Sequence, residues 1–280
     1  RLCASQPKCC NQNARGYNDS CFKGRRLTLT TDLYTVISNK QVAPSIFSMT
    51  VKDHLNLPVQ PGQFHMLKTL AAEPLLPRPL SINDVENETL TFLYEVKGDG
   101  TKNLAALTTG QQLRITGPLG QGFNIDGIVG NARLPKVLLV AGGIGIAPFK
   151  YLARSLKKKA TVSLAAGFRS NPYAIDDLKE FVDDIKIATE DGSYGVEGRV
   201  TLVFNPVDFD VVIACGPTPM MRAVKEMCKQ AKVKCILSME ARMACGIGAC
   251  LGCTIRTTKG MLRVCADGPV FDANEVIFND

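Results

Sequence analysis

The sequence predicts a multi-domain β plus α/β protein: an all-β half, a parallel α/β half and a small cysteine-rich C-terminal piece. Three observations carry this. Short apolar runs separated by turn formers fill the first half, as regularly spaced strands do in a sandwich or small barrel. From Pro135 the pattern becomes apolar strand, small-residue turn and helix, repeated, which implies a parallel sheet. The stretch Ala244–Cys253, "ACGIGACLGC", then packs three cysteines and three glycines into ten residues.

A chain of 280 residues is comfortable for two domains, and 45% hydrophobic content supplies their cores. Residues 1–26 are polar and weakly periodic, a leader and not a folding unit. Its cysteines, Cys3, Cys9, Cys10 and Cys21, follow a C-x5-C-C-x10-C spacing that matches no standard metal site. Tryptophan is absent and aromatics are 6%, which argues against a sugar-binding or base-stacking surface. The net charge of +7 is scattered; its one dense run, Lys157–Lys159, reads as the solvated end of a helix and not as a nucleic-acid patch. No apolar run reaches membrane-spanning length, and the opening "RLCASQPKCC" lacks the apolar core of a signal peptide. The expected compartment is therefore the reducing cytoplasm, where clustered cysteines favour metal over disulfide.

The β half is expected over residues 27–130. Its strands are "LYTVISNKQVA", "SIFSMTVK", "GQFHMLKTL", "TLTFLYEV" and "QQLRITGPL", with turns at Pro61-Gly62 and Gly98-Asp99-Gly100. Two segments carry chemistry. In "PRPLSI", Arg78 stands between two prolines on a stiff extended backbone, suited to a fixed phosphate contact. In "EVKGDGTKNL", Gly98-x-Gly100-Thr101 precedes a helix-like "KNLAAL" and forms an anion-binding turn. Each alone is also an ordinary loop. His54 and His65 read as surface or packing residues.

The α/β half is expected over residues 131–236. In "LLVAGGIGIAPF" a buried strand runs into Gly142, Gly143 and Gly145, and a helix opens near Ala147-Pro148. Such a turn lets a pyrophosphate approach the backbone at a helix N-terminus, and proline is compatible with a first helical turn. The spacing departs from the full G-x-G-x-x-G fingerprint, so a structural turn is the alternative. In "ACGPTPMM" a strand over Asp210–Ala214 ends at Cys215-Gly216-Pro217. Ligands bind beyond the carboxyl ends of such strands, which places Cys215 in the same crevice, a buried structural cysteine being the alternative. Cys228 and Cys235 read as structural.

A β half with Arg-Pro-x-Ser, followed by an α/β half with G-G-x-G and C-G-P, resembles the ferredoxin–NADP reductase superfamily from about Leu27 to the end. The resemblance implies an antiparallel barrel holding FAD and an α/β domain holding a nicotinamide dinucleotide. Arg78 is then the flavin pyrophosphate contact, with Pro79 and Leu80 in the same flavin-binding segment and Ser81 near N5 of the ring. Leu93 and Tyr94 flank the flavin, and Gly100 and Thr101 bind its phosphate. Gly142, Gly143 and Gly145 cradle the nicotinamide cofactor's pyrophosphate, and Cys215, with Gly216 in its turn, lies beside the nicotinamide. The loop "ATEDGSYGVEGRV" lies beside the same site, with Asp191 and Gly192 as candidates. Related sequences often read Tyr-Arg-Val where this chain has Tyr94-Glu95-Val96; an acid there repels phosphate, and Lys97, on the same strand face, is placed to supply the charge.

The C-terminal piece is expected over residues 237–280, too small to stand without a staple or a metal. Cys245, Cys250 and Cys253 have C-x4-C-x2-C spacing, and Cys265 follows after eleven intervening residues. This is the order of plant-type [2Fe–2S] sites, whereas a zinc knuckle separates two cysteine pairs. "SMEARMACGIGACLGC" and "VCADGPVFD" resemble the electron transfer subunits of NAD-dependent dihydroorotate dehydrogenase. That implies a partner catalytic subunit carrying FMN, a heterotetramer with two of each chain, and a role in pyrimidine biosynthesis. Electrons then run from dihydroorotate through FMN, [2Fe–2S] and FAD to NAD. Arg169 and Ser170 in "GFRSNPYAIDD" are placed to meet a 2′-phosphate, but the resemblance favours NAD over NADP. Two other readings are an NAD(P)H reductase subunit of another redox complex, of ferredoxin–NADP reductase or sulfhydrogenase type, and a zinc-stabilised binding module.

Overall fold

A computed structural model describes residues 30–130 and 134–278; the four leader cysteines lie outside them. The first half is a closed barrel of six antiparallel strands: β1 (Thr31–Ala43), β2 (Ile46–Lys52), β3 (Phe64–Thr69), β4 (Arg78–Glu86), β5 (Thr89–Glu95) and β6 (Gln112–Leu119), in the order β1-β2-β5-β4-β3-β6. Closure removes the exposed sheet edges. Five of these strands follow the apolar runs. The sixth, β4, begins as the proline-bracketed "RPLS", which reads as a stiff segment and not as a strand. Its first four residues pair only with β3, from Leu67↔Arg78 to Phe64↔Ser81, and pairing with β5 begins at Ile82. Proline is tolerated where one side of the ladder is open.

Alternate residues such as Val36, Met49, Leu67, Ile82, Phe92 and Ile115 fill the barrel. His65 shares this interior at 1% exposure, edge-on to Phe92 at 5.6 Å, and its Nδ1 has no hydrogen-bond partner among the described residues. Burial pushes its pKa down to about 3. The folded-state value lies below the ordinary one near 6.5, so the unfolded chain binds the proton first. The titration of His65 therefore has no effect well above pH 6.5 and destabilises the fold increasingly as pH falls toward 3, by about 1.4 kcal/mol per unit. In His65→Leu, the fall in melting temperature between pH 7 and pH 5 is expected to shrink. His54, by contrast, is exposed and pairs with Asp32 at 3.0 Å.

After α1 (Asp99–Ala105) and a short α2 (Ile125–Val129), the second half alternates β7 (Lys136–Gly142), α3 (Phe149–Leu156), β8 (Thr161–Phe168), β9 (Asp184–Thr189), β10 (Val196–Glu197), β11 (Val211–Cys215), α4 (Thr218–Ala231) and β12 (Lys234–Ser238). The tail adds β13 (Thr254–Thr257), β14 (Gly260–Arg263) and β15 (Val270–Asp272). The large sheet has the order β10-β9-β8-β7-β11-β12-β15, parallel except for the antiparallel β15. Leu139 and Ala141 face α3, whereas Leu138 and Val140 share the opposite core with Met221 and Val224 of α4. Lys157–Lys159 are exposed just past α3. The loop expected over Ala188–Val200 begins inside β9 and contains β10; the polar Asp184 and Lys186 mask β9 in the sequence. No helix among the described residues is long and apolar enough to cross a membrane.

The C-terminal stretch does not stand apart. β15 extends the large sheet, and Cys253, Val264, Cys265 and Phe271 share a core with Leu237 of the sheet and Phe64 and Met66 of the barrel. Cys228 and Cys235 are buried in that same core.

The two halves are clamped through β4 and α3. Asn83 donates to the Ala147 carbonyl at 2.7 Å, and the buried Asp84 pairs with Lys150 at 3.0 Å and Arg154 at 2.6 Å. Tyr151 donates to the Val59 carbonyl at 3.0 Å. One strand thus carries Arg78–Ser81 at one end and grips the segment after the G-G-x-G turn at the other. Asn83→Ala leaves a buried carbonyl unpaired, a cost of about 1–3 kcal/mol. Thermal melts are expected to show that loss, and NADH titrations a weaker affinity.

Candidate functional site

In the barrel, Arg78–Ser81 are all half-buried, and Leu80, the register partner of His65, packs against the barrel core. A Cβ placed on Gly100 would overlap the Arg78 guanidinium, so α1 and the start of β4 meet at that glycine. Arg78 Nη1 donates to the Leu76 carbonyl at 2.7 Å, which holds the guanidinium in place. Asp99 and Gly100 open α1, where helix geometry leaves N–H groups without an intrahelical acceptor. Fixed guanidinium and first-turn amides together make an anion cradle. Thr101 shapes the turn itself. Its hydroxyl accepts the Lys97 and Gly98 N–H groups at 2.9 and 3.2 Å and donates to the Gly98 carbonyl, so it builds the turn.

Leu93 and Tyr94 do not share a face, because strand alternation separates them. Tyr94 points into the barrel, 1% exposed, stacked on Phe47 and donating to Asn39 Oδ1 at 3.0 Å. Its ring thus belongs to the barrel core, whereas the Leu93 side chain faces the α/β half. Glu95 pairs with Lys97 at 2.9 Å, so that lysine neutralises the acid and offers no surplus charge.

In the second half, β7 and β11 are neighbours with Ala141↔Cys215 in register, so their carboxyl-end turns lie side by side. A Cβ on Gly145 would overlap the Cys215 carbonyl, and one on Gly216 would lie 2.9 Å from the Gly142 backbone. Gly142 is confined by Met220 and Pro217, and Gly143 has φ +53°, a left-handed conformation glycine adopts freely. The glycines are thus required by turn-to-turn packing, which leaves backbone exposed to a ligand at the head of the segment leading into α3. Cys215 is 1% exposed, its thiol pushed up by burial and by the Glu240 carboxylate. A neutral thiol there is a small wall and not a base.

Three crevice residues had no motif to announce them. Glu240 lies just beyond β12 and is exposed as a residue, but protein crowds its carboxyl, and this desolvation pushes its pKa up, with Lys97 opposing and Glu95 adding. Tyr173 packs edge-on against Phe168 at 4.9 Å, its hydroxyl 3.7 Å from where a Gly143 Cβ would stand. Asn83, described above, is the third. Asp191 accepts the Ser193 N–H at 3.0 Å and its own N–H donates to the Arg169 carbonyl at 3.3 Å. It closes the turn after β9, beside the exposed Arg169 and Ser170 at the end of β8.

In the tail, backbone amides converge on sulfur. Gly248 N–H donates to Cys265 Sγ at 3.0 Å, Cys265 N–H to Cys253 Sγ at 3.4 Å, and the Ile247 and Cys250 amides to Cys245 Sγ at 3.5 and 3.4 Å. These amide bonds link the cysteines in two pairs, Cys250 N–H to Cys245 Sγ and Cys265 N–H to Cys253 Sγ. Two pairs fit two irons with two thiolates each. Desolvation raises the Cys245 thiol, but hydrogen bonds from Ile247, Cys250 and Ala249 outweigh it and bring the pKa down to about 6. Cys250 is exposed, while Cys253 and Cys265 are buried.

The loop is seated on the barrel. Gly246 has φ +71°, and a Cβ there would lie 2.8 Å from Met66 Cγ and 3.1 Å from Leu119 Cδ1. Met66 is the register partner of Pro79 in β4. The cysteine loop is therefore one strand away from the Arg78–Ser81 segment. In the loop itself, Ile247 and Leu251 on either side of Cys250 in sequence are exposed apolar residues, 48% and 62% accessible.

Residues 240–277 match the family described as the iron-sulfur cluster binding domain of dihydroorotate dehydrogenase B. The chain is 45% identical over 245 residues to the dihydroorotate dehydrogenase B (NAD(+)) electron transfer subunit of Clostridium acetobutylicum, covering 88% of this chain and 96% of that one. It is 43% identical to the subunit of the same name from Caldanaerobacter subterraneus, covering 87% and 97%. Among solved structures, an NADH-dependent reduced ferredoxin-NADP oxidoreductase aligns with TM-score 0.77 and 26% identity, covering 88% and 90%. A ferredoxin NADP+ reductase from Neisseria gonorrhoeae with bound FAD and NADP shares the fold, with TM-score 0.60, 16% identity and coverage of 72% and 91%.

Proposed function

Since the chain belongs to the family of electron transfer subunits of NAD-dependent dihydroorotate dehydrogenase B, we propose that it divides that task among three sites built from the residues above. It is an oxidoreductase subunit that passes electrons between a catalytic dehydrogenase subunit and NAD, with FAD, an iron–sulfur cluster and NAD(H) as its cofactors. When bound, a flavin exchanges two electrons with a nicotinamide as hydride and single electrons with a cluster, so it belongs between them.

In our reading residues 27–130 hold FAD, 131–236 hold NAD(H) and 237–280 hold the cluster. Arg78 and the first turn of α1 bind the flavin pyrophosphate, and Pro79, Leu80 and Ser81 line the ring. Gly142, Gly143, Gly145 and Gly216 keep two turns close enough to admit the nicotinamide cofactor. Cys215 walls the nicotinamide pocket and excludes water. Cys245, Cys250, Cys253 and Cys265 hold a [2Fe–2S] cluster, with amides donating to their sulfurs. The single observation that supports this reading is the seat of Gly246 on Met66, opposite Pro79: the cysteine loop packs against the strand paired with Arg78–Ser81.

The partner carries FMN and docks on the exposed apolar residues beside Cys250, two copies of each chain assembling in the cytoplasm. Co-expression with such a partner is expected to give a four-chain mass and dihydroorotate-dependent NAD reduction that neither chain shows alone. A two-chain mass, or a preference of tenfold or more for NADPH, would overturn those parts of the reading.

A further inference from the structure

Beside the buried sulfur pair stands a charged fork with no assigned role. Arg263, the last residue of β14, donates Nε and Nη2 to the two oxygens of Asp267 at 2.9 and 3.0 Å. The backbone amide of Arg263 donates to the same carboxylate at 2.8 Å, and the Asp267 amide returns to the Arg263 carbonyl at 2.8 Å. The third arm, Nη1, reaches the Gly248 carbonyl at 3.3 Å. Gly248 is the residue whose N–H donates to Cys265 Sγ at 3.0 Å. A Cβ on Gly248 would meet Ala266 at 2.9 Å and Arg263 Nη1 at 3.1 Å, so the guanidinium is packed tightly against this peptide. The carboxylate lies on the far arms of the fork, away from Gly248.

We propose that Arg263 sets the reduction potential of the C-terminal cluster by holding a fixed positive charge beside the Cys253–Cys265 side, and that Asp267 is the counter-charge that limits the effect. The inference rests on reading the four cysteines as [2Fe–2S] ligands. One-electron reduction adds one negative charge to the cluster. A guanidinium nearby stabilises that added charge and raises the potential, and a carboxylate lowers it. Both charges are pinned by hydrogen bonds, so neither reorients when the electron arrives. Arg263 is thus a positioning and tuning residue; it ligates nothing.

Redox titration of the full chain, followed by electron paramagnetic resonance of the reduced cluster, tests this. Arg263→Gln is expected to lower the midpoint potential by an amount worth about tenfold in the one-electron equilibrium, ~59 mV. Asp267→Asn is expected to raise it. Arg263→Lys, which keeps the charge and loses the fork, is expected to stay near the unsubstituted value. A purely mechanical brace predicts something else: breaking it from either side frees the Gly248 amide from Cys265 and lowers the potential in all three variants. Shifts of the same sign in Arg263→Gln and Asp267→Asn, or unmoved potentials, overturn the proposal. An unsubstituted chain that shows iron and a different signal, or none, would instead remove the cluster reading on which it stands.

Discussion

Cys250→Ser is expected to lose the cluster absorbance while the flavin absorbance stays. Cys250 is exposed and contributes nothing to the apolar core, so the fold survives its replacement. Its amide donates to Cys245 Sγ at 3.4 Å, and in the proposed ligand set serine leaves one iron with a single thiolate. The Arg78–Ser81 segment of β4 does not include the loop and keeps its geometry. Two activities therefore separate. Partner-linked electron transfer falls by at least about two orders of magnitude, close to 3 kcal/mol. NADH oxidation by a small artificial acceptor, which needs only the nicotinamide and flavin sites, stays within about twofold, far below one factor of ten or 1.4 kcal/mol. An intact iron–sulfur spectrum in the variant would remove Cys250 from the ligand set.

Gly145→Ala is expected to be the most damaging single methyl group in the nicotinamide half. The added carbon meets the backbone of Cys215 and the Gly216 Cα at 2.7 Å, not the flexible end of a side chain. Relief requires one turn to move off the other, and both belong to the crevice. The cost is about 3 kcal/mol of stability. NADH affinity is expected to fall well beyond what that destabilisation explains, measured by titration below the melting transition. Gly100→Ala makes a useful contrast. Its new carbon meets the Arg78 guanidinium, which can swing away, so flavin retention is expected to fall while the melting temperature changes little. Equal and small effects of the two substitutions would show that turn-to-turn packing does not shape the crevice.

What could be read from the chain followed the range of the interactions involved. The cysteine spacing, the G-G-x-G turn and the alternation of Val36, Met49 and Phe92 are local, and local patterns survive in a sequence. β4 was hidden because Pro77 and Pro79 argue against a strand unless one side of the ladder is known to be open. The opposite faces of Leu93 and Tyr94 follow from strand alternation, which a motif match does not take into account. Glu240, Tyr173 and Asn83 matter through contacts across the crevice and carry no spacing signal. Arg263 and Asp267 are an i,i+4 pair, but their reach to Gly248 depends on how a hairpin folds over a loop. The merged tail could not be foreseen either, since the β12–β15 pairing joins residues more than thirty apart.

Anaerobic titration of the isolated full chain with NADH, followed by visible absorbance and electron paramagnetic resonance together, tests the wiring most directly. The seat of the cysteine loop on Met66, opposite the flavin segment, predicts that NADH bleaches the flavin bands and that the reduced cluster signal appears in the same titration, with no partner present. A flavin that bleaches while the cluster stays oxidised, although dithionite reduces it, would mean that the two sites are not connected as the neighbouring strands imply.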